Sequence, residues 1–151
     1  MTELRERYFE DWSVGESFIS AAHEMTADRI RSFAEEFDPQ PFHVDEAAAA
    51  ASIYGGIIAS GWHTGSVMMR LLTAFLGPSS MGSPGVDELR WRAPVRAGDR
   101  LRLRLTVREV RTSKSKPDRG VVTFDEELLN QHDEVVMSLV ASLFMQRRSP
   151  G

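Results

Sequence analysis

The chain has 151 residues, 42% hydrophobic and 26% charged, a composition that suits one globular domain, spanning residues 1–151, with its own core. Its formal net charge of −4 argues against a nucleic-acid partner, which would favour a basic face. Cysteine is absent, which excludes disulfides, thiol chemistry and Cys-ligated zinc, and His23, His43, His63 and His132 lack metal-binding spacing, so no metal site is expected.

The charged start MTELRERYFEDW does not read as a secretory signal, and no apolar run is long enough to span a membrane. A cytoplasmic location is the default expectation. ESFISAAHE, residues 16–24, predicts a short first strand. Thr26 is placed to cap a helix in which Ile30, Phe33, Ala34 and Phe37 recur at three- and four-residue spacing. Pro39 must end that helix, because the residue before a proline avoids helical angles. DPQPFH then reads as a rigid, extended loop, and the alanines of DEAAAAAS predict a second short helix. GWHTGSVMMRLLTAFL, residues 61–76, is apolar nearly all round with Arg70 its only charge, so other structure is expected to wrap it.

The second half changes period. VDELRWRAPV, RLRLRLTVREV, GVVTFDEELLN and EVVMSLVASLFMQ read as strands, and the alternation in RLRLRLTV marks a half-buried one. Turns fall at Ala97–Asp99, in the polar TSKSKPDRG segment and at Asn130–Asp133. The predicted class is α+β: a five-stranded, mostly antiparallel sheet curled round one long helix. Such a sheet has open edges that invite pairing with another chain, which predicts a homodimer.

Asp38 and His43 are the candidate acid/base pair. Flanking a proline-stiffened turn, they could face one cleft, and histidine titrates nearest neutrality. A helix-end turn residue beside a packed core histidine would give the same spacing. Ser60-Gly61 opens the long helix, where free N–H groups could meet a ligand carbonyl; Gly61 could equally serve tight packing. Met68, Met69, Leu72 and Phe75 read as core, and Lys114, Lys116 and Arg119 as a solvated hairpin tip.

FAEEFDPQPFHVDEAAAAASIYGGIIASG, residues 33–61, resembles the signature of MaoC-like hotdog-fold proteins, the (R)-specific enoyl-CoA hydratases and 3-hydroxyacyl-thioester dehydratases. RAPVRAGDRLRLRL is similar to the strand pair that follows their central helix. The resemblance implies the hotdog fold and a dimer joined edge to edge. It also implies an acyl-CoA (or acyl carrier protein) substrate, an activity belonging to fatty acid metabolism, and no metal or redox cofactor. It assigns Asp38 and His43 to water activation and Gly61 to polarising the thioester carbonyl, with Ser60, Trp62, His63 and Ser66 near the substrate. Three departures stand out, one being Ser60 where a histidine often precedes the glycine. Gln40 replaces the usual Asn, and Met69 stands where some hydratases carry a serine. The alternatives are a hotdog thioesterase, or a non-catalytic acyl-CoA-binding domain or partner subunit of a dehydratase.

Overall fold

Alternation of leucine with arginine is realised as a 13-residue strand whose Leu101, Leu103, Leu105 and Val107 are buried while Arg102, Arg104 and Thr106 face outward. Side chains alternate across a strand, so this pattern fixes which face turns to the core. The strand is β4 (Arg100–Thr112) in a computed structural model of the chain that describes residues 7–148. The first six residues of the charged N-terminal stretch therefore lie outside the described residues. Antiparallel neighbours follow through two hairpins, β5 (Arg119–Leu129) and β6 (Val135–Gln146). Before them come β1 (Ser17–Ile19), β2 (His23–Glu24) and β3 (Val86–Trp91). The path across the sheet is β1-β4-β5-β6-β3, with β2 paired to the start of β4.

The predicted five strands are thus six, because Glu16–Glu24 is two short strands rather than one. The third strand also ends at Trp91, before Pro94. Its pairing with β6 shifts between Asp87 and Arg90, where Glu88 adopts φ +53°. The sheet is not closed.

Among the described residues there are four α-helices, α1 (Ala27–Phe37), α2 (Pro41–Val44), α3 (Glu46–Ala50) and α4 (Gly61–Leu76). Thr26 caps α1 through a bond from Arg29 N–H at 3.3 Å, as its position predicts. Ile30 and Ala34 are fully buried, but Phe37 is 65% exposed, because α1 ends where the chain turns out of the core. The expected extended loop over DPQPFH is instead a turn leading into α2. Pro41 sits in its first turn, where the missing N–H costs nothing and φ is already helical.

Helix α4 lies against the inward face of the sheet. Val67, Met68, Leu72, Phe75 and Leu76 are buried in one cluster with the β4 leucines, Phe124 and Met137, and His63 and Thr64 are buried as well. It is not wrapped all round, as its composition suggested. Trp62, Ser66, Met69 and Thr73 form an open stripe, since one sheet can cover only one side of a helix. Trp62 packs edge-on to Trp91 at 5.0 Å, so the stripe continues onto β3 at the sheet edge. No described helix is long and apolar enough to cross a membrane.

One inward position breaks the apolar rule. Val122, Phe124 and Leu128 of β5 face α4, and Glu126 stands among them with 2% exposure. Its Oε2 has no hydrogen-bond partner among the described residues. Burial raises its pKa to about 7. The native state therefore holds this proton more tightly than the unfolded chain does. Its contribution is fully present below pH 4.5, the ordinary value, and is lost as pH rises through about 7. Glu126→Leu is expected to raise the unfolding free energy at pH 8 by about 3 kcal/mol. It should also flatten the fall in stability between those two pH values, followed by urea titration across pH. An unchanged pH profile would contradict this account.

Candidate active site

The end of α1 positions the first candidate. Asp38 N–H makes the last helical bond, to Ala34 O at 2.8 Å, and Pro39 forces the chain out of the helix. Gln40 N–H then turns back onto Asp38 O at 2.8 Å. The short α2 carries His43 inward, where only 4% of it is exposed. The two side chains meet: His43 Nε2 lies 3.2 Å from Asp38 Oδ2.

Each ring nitrogen of His43 has a defined surrounding. Nδ1 lies 2.7 Å from Ile58 O. A carbonyl only accepts, so Nδ1 carries the hydrogen, and Nε2 is left to exchange a proton on the Asp38 side. The Asp38 carboxylate is held on both oxygens. Oδ1 accepts from Gln40 Nε2 at 2.7 Å and Oδ2 from Ser60 Oγ at 2.7 Å. Burial raises the Asp38 pKa, but the Ser60 and Gln40 hydrogen bonds and the neighbouring His43 outweigh it and keep the carboxyl below its ordinary value. Gln40, the departure from the family pattern, thus reaches the carboxylate itself.

Asp38 and His43 line a cleft of about 380 Å³ together with Gly61, Trp62, Thr64 and Trp91. Gly61 begins α4. Ser60 Oγ accepts from Trp62 N–H at 3.2 Å, and Ser60 O receives His63 N–H and Thr64 N–H. Gly61 N–H makes no hydrogen bond among the described residues. A Cβ at Gly61 would lie 2.5 Å from the Trp91 ring, so glycine is what lets the indole cover this backbone. Trp91 Nε1 in turn donates to Gly61 O at 2.8 Å.

Of the four residues expected near substrate, only Trp62 lines the cleft. Ser60 is fully buried, and its hydroxyl is committed to Asp38 and to the α4 cap. His63 packs face to face with Phe33 at 4.9 Å, and burial, then the nearby His23 and Arg29, lower its pKa. Ser66 lies on the open stripe of α4 and donates to Trp62 O at 2.8 Å. Trp91, Thr64 and Ile58 escaped the sequence reading. Only pairing across the sheet brings Trp91, 30 residues later, against Gly61. The Lys114–Arg119 loop joins the far ends of β4 and β5, away from the cleft.

Comparison with known proteins gives a consistent picture. The family described as "MaoC like domain" matches residues 12–128. A 3-hydroxybutyryl-CoA dehydratase of Methylorubrum extorquens is 36% identical over 114 residues, covering 73% of this chain and 69% of the relative. The crystal structure of a MaoC-like dehydratase from Rhodospirillum rubrum superposes with a TM-score of 0.89 at 46% identity, covering 95% of this chain and 99% of that one. A Mycobacterium tuberculosis protein with a double hotdog fold has a TM-score of 0.87 at 18% identity, 99% of this chain matching 48% of that one. The architecture described above is a hotdog fold.

Three substitutions test the joint between Gly61, Trp91 and Ser60. Alanine in place of glycine ordinarily favours a helix, yet Gly61→Ala is expected to destabilise the protein by roughly 1–3 kcal/mol, because the new methyl overlaps the indole. Adding Trp91→Ala should recover that loss, measured by urea unfolding. Ser60→Ala should cost about 1 kcal/mol through the lost cap. It should also raise the Asp38 pKa, read by NMR titration of the carboxyl. With a depressed native pKa, Asp38 contributes stability above its ordinary value that is lost as pH falls through the native value, so this variant should show a shallower acid limb.

Proposed function

The chain belongs to the MaoC-like domain family, and from that premise we propose that it is an acyl-thioester hydratase/dehydratase. It adds water reversibly to a trans-2-enoyl thioester, carried on coenzyme A, to give the 3-hydroxyacyl thioester. The observation that carries this reading is the pairing of His43 Nε2 with Asp38 Oδ2 at 3.2 Å in a cleft that also holds the unengaged Gly61 N–H. The likeness to a dehydratase of 3-hydroxybutyryl-CoA supports the substrate class.

The chemistry follows from these groups. Asp38 is ionised and acts as an acceptor for one hydrogen of a water lodged between it and His43. As the water oxygen attacks the β-carbon, the pair takes up one proton, and it returns one proton to the α-carbon. Negative charge develops on the thioester oxygen meanwhile. The Gly61 N–H, at the positive end of a 16-residue helix, stabilises that charge. Gln40 and Ser60 hold the carboxylate so that little reorganisation is needed as the proton moves.

The proposal includes a homodimer. Trp62 and Met69 on α4 and Val86 and Trp91 on β3 are all exposed, and β3 is a free edge of the sheet. Pairing two β3 edges would satisfy open backbone groups and cover these side chains at once.

Purified protein should deplete crotonyl-CoA, followed as loss of enoyl absorbance, with no release of free thiol. Asp38→Asn and His43→Gln should each lower kcat by about 10²-fold or more while the fold is retained. Full activity in both variants would overturn the assignment, and thiol release would turn it toward a thioesterase. Light scattering should return the mass of two chains, and a monomer would refute the β3 pairing.

A further inference from the structure

A second cavity, of about 70 Å³, lies beside the cleft and contains Glu126 in its wall. Its lining from α4 is Gly65, Met68, Met69 and Leu72, whereas the cleft takes Gly61, Trp62 and Thr64 from the same helix. The two spaces are therefore consecutive along one side of α4. On the sheet side they share β3, through Trp91 in the cleft and Val86 in the cavity. Met68 stands about 10 Å along the helix axis from Gly61. The cavity therefore lies within reach of the acyl chain of a thioester held at Gly61.

The cavity is apolar apart from two side chains. Leu139, Ala141 and Leu143 of β6 close it opposite the helix. Ser83 is already engaged, its one hydroxyl hydrogen having Ser142 O at 2.7 Å and Gly85 O at 2.8 Å as acceptors within reach. Glu126 is different: it is 2% exposed, pairs across the strands with Leu139, and has Oε2 unpartnered among the described residues. A purely structural position here would take an apolar residue, as the inward Val122, Phe124 and Leu128 do. A buried carboxyl without a partner opposes folding, so its presence points to a ligand that supplies the partner.

We infer that the substrate's acyl chain carries a hydroxyl group several carbons from the thioester, seated by a hydrogen bond to Glu126, which pairs with Leu139 at the end of this cavity nearer the cleft. The inference rests on the hydratase reading for the thioester end. A hydroxyl both donates and accepts, so it satisfies Glu126 in either protonation state. A chain ending in a carboxylate would meet like charge on the ionised form. An ammonium would leave water for walls whose polar side chains are one carboxyl and the already bonded Ser83 hydroxyl. Glu126 lies away from Asp38 and His43, and its role is one of specificity.

The test compares enoyl-CoA thioesters of four to ten carbons with their ω-hydroxy and ω-amino counterparts, on wild type, Glu126→Gln and Glu126→Leu. At one chain length the wild type should favour the ω-hydroxy substrate in kcat/KM by at least about ten-fold. Glu126→Leu should abolish that preference while still hydrating the plain thioester, and Glu126→Gln should keep part of it. Equal values at every length, a preference that survives Glu126→Leu, or a preference for the ω-amino chain would overturn the inference. If no enoyl-CoA turns over, the hydratase reading fails on its own. Binding of saturated ω-hydroxyacyl-CoA and acyl-CoA, read by Trp fluorescence, then decides: tighter hydroxyacyl binding lost in Glu126→Leu upholds the assignment, and equal binding overturns it.

Discussion

The hydroxyl of Ser60 is bonded in two directions, and the arrangement of the cleft depends on both. It accepts the second N–H of α4 and donates to Asp38 at the end of α1. The start of the central helix and the end of the first helix are thereby fixed to each other. His43 is fixed to the same frame, because Nδ1 meets the carbonyl of Ile58 just before Ser60. The proposed acid/base pair and the Gly61 N–H consequently share one rigid reference, which preorganisation requires. Gly61 admits the Trp91 indole onto this backbone and so ties the sheet edge to the same point.

The sheet imposes the second constraint. Its inward face buries one side of α4 and leaves Trp62, Ser66, Met69 and Thr73 uncovered. The cleft and the smaller cavity open along the border of that uncovered side. Glu126 sits at this border, where an apolar side chain would close the core and a carboxyl keeps a polar contact within reach. Its cost to folding and its proposed use in recognition have the same physical origin, an ionisable group far from water.

Much of this was legible in the residues. Period-2 leucines in RLRLRLTV determined which face of β4 is buried, and Thr26 and Pro39 determined where α1 begins and ends. These are local rules: capping, proline sterics and alternation act over a few residues. The motif spanning residues 33–61 carried the family for the same reason, since Asp38, His43 and Gly61 lie within one short stretch. Even there, the sequence read an extended loop where α2 forms, because proline permits a first helical turn as readily as it forbids a later one.

What the chain could not announce is set by contacts between distant segments. Composition alone made α4 look enclosed on every side, and only the one-sided packing of the sheet left its stripe open. Ser60, expected beside the substrate, became the partner of Asp38 because α1 and α4 approach each other in space. Trp91 joined the cleft through strand pairing, and Glu126 was one acidic residue in a run of three until the pleat turned it inward and its neighbours outward. The sequence by itself determined most of the elements and singled out the pair that faces the cleft. The tertiary structure alone decided which polar groups lost their water, because burial belongs to the packed whole and to no stretch of chain.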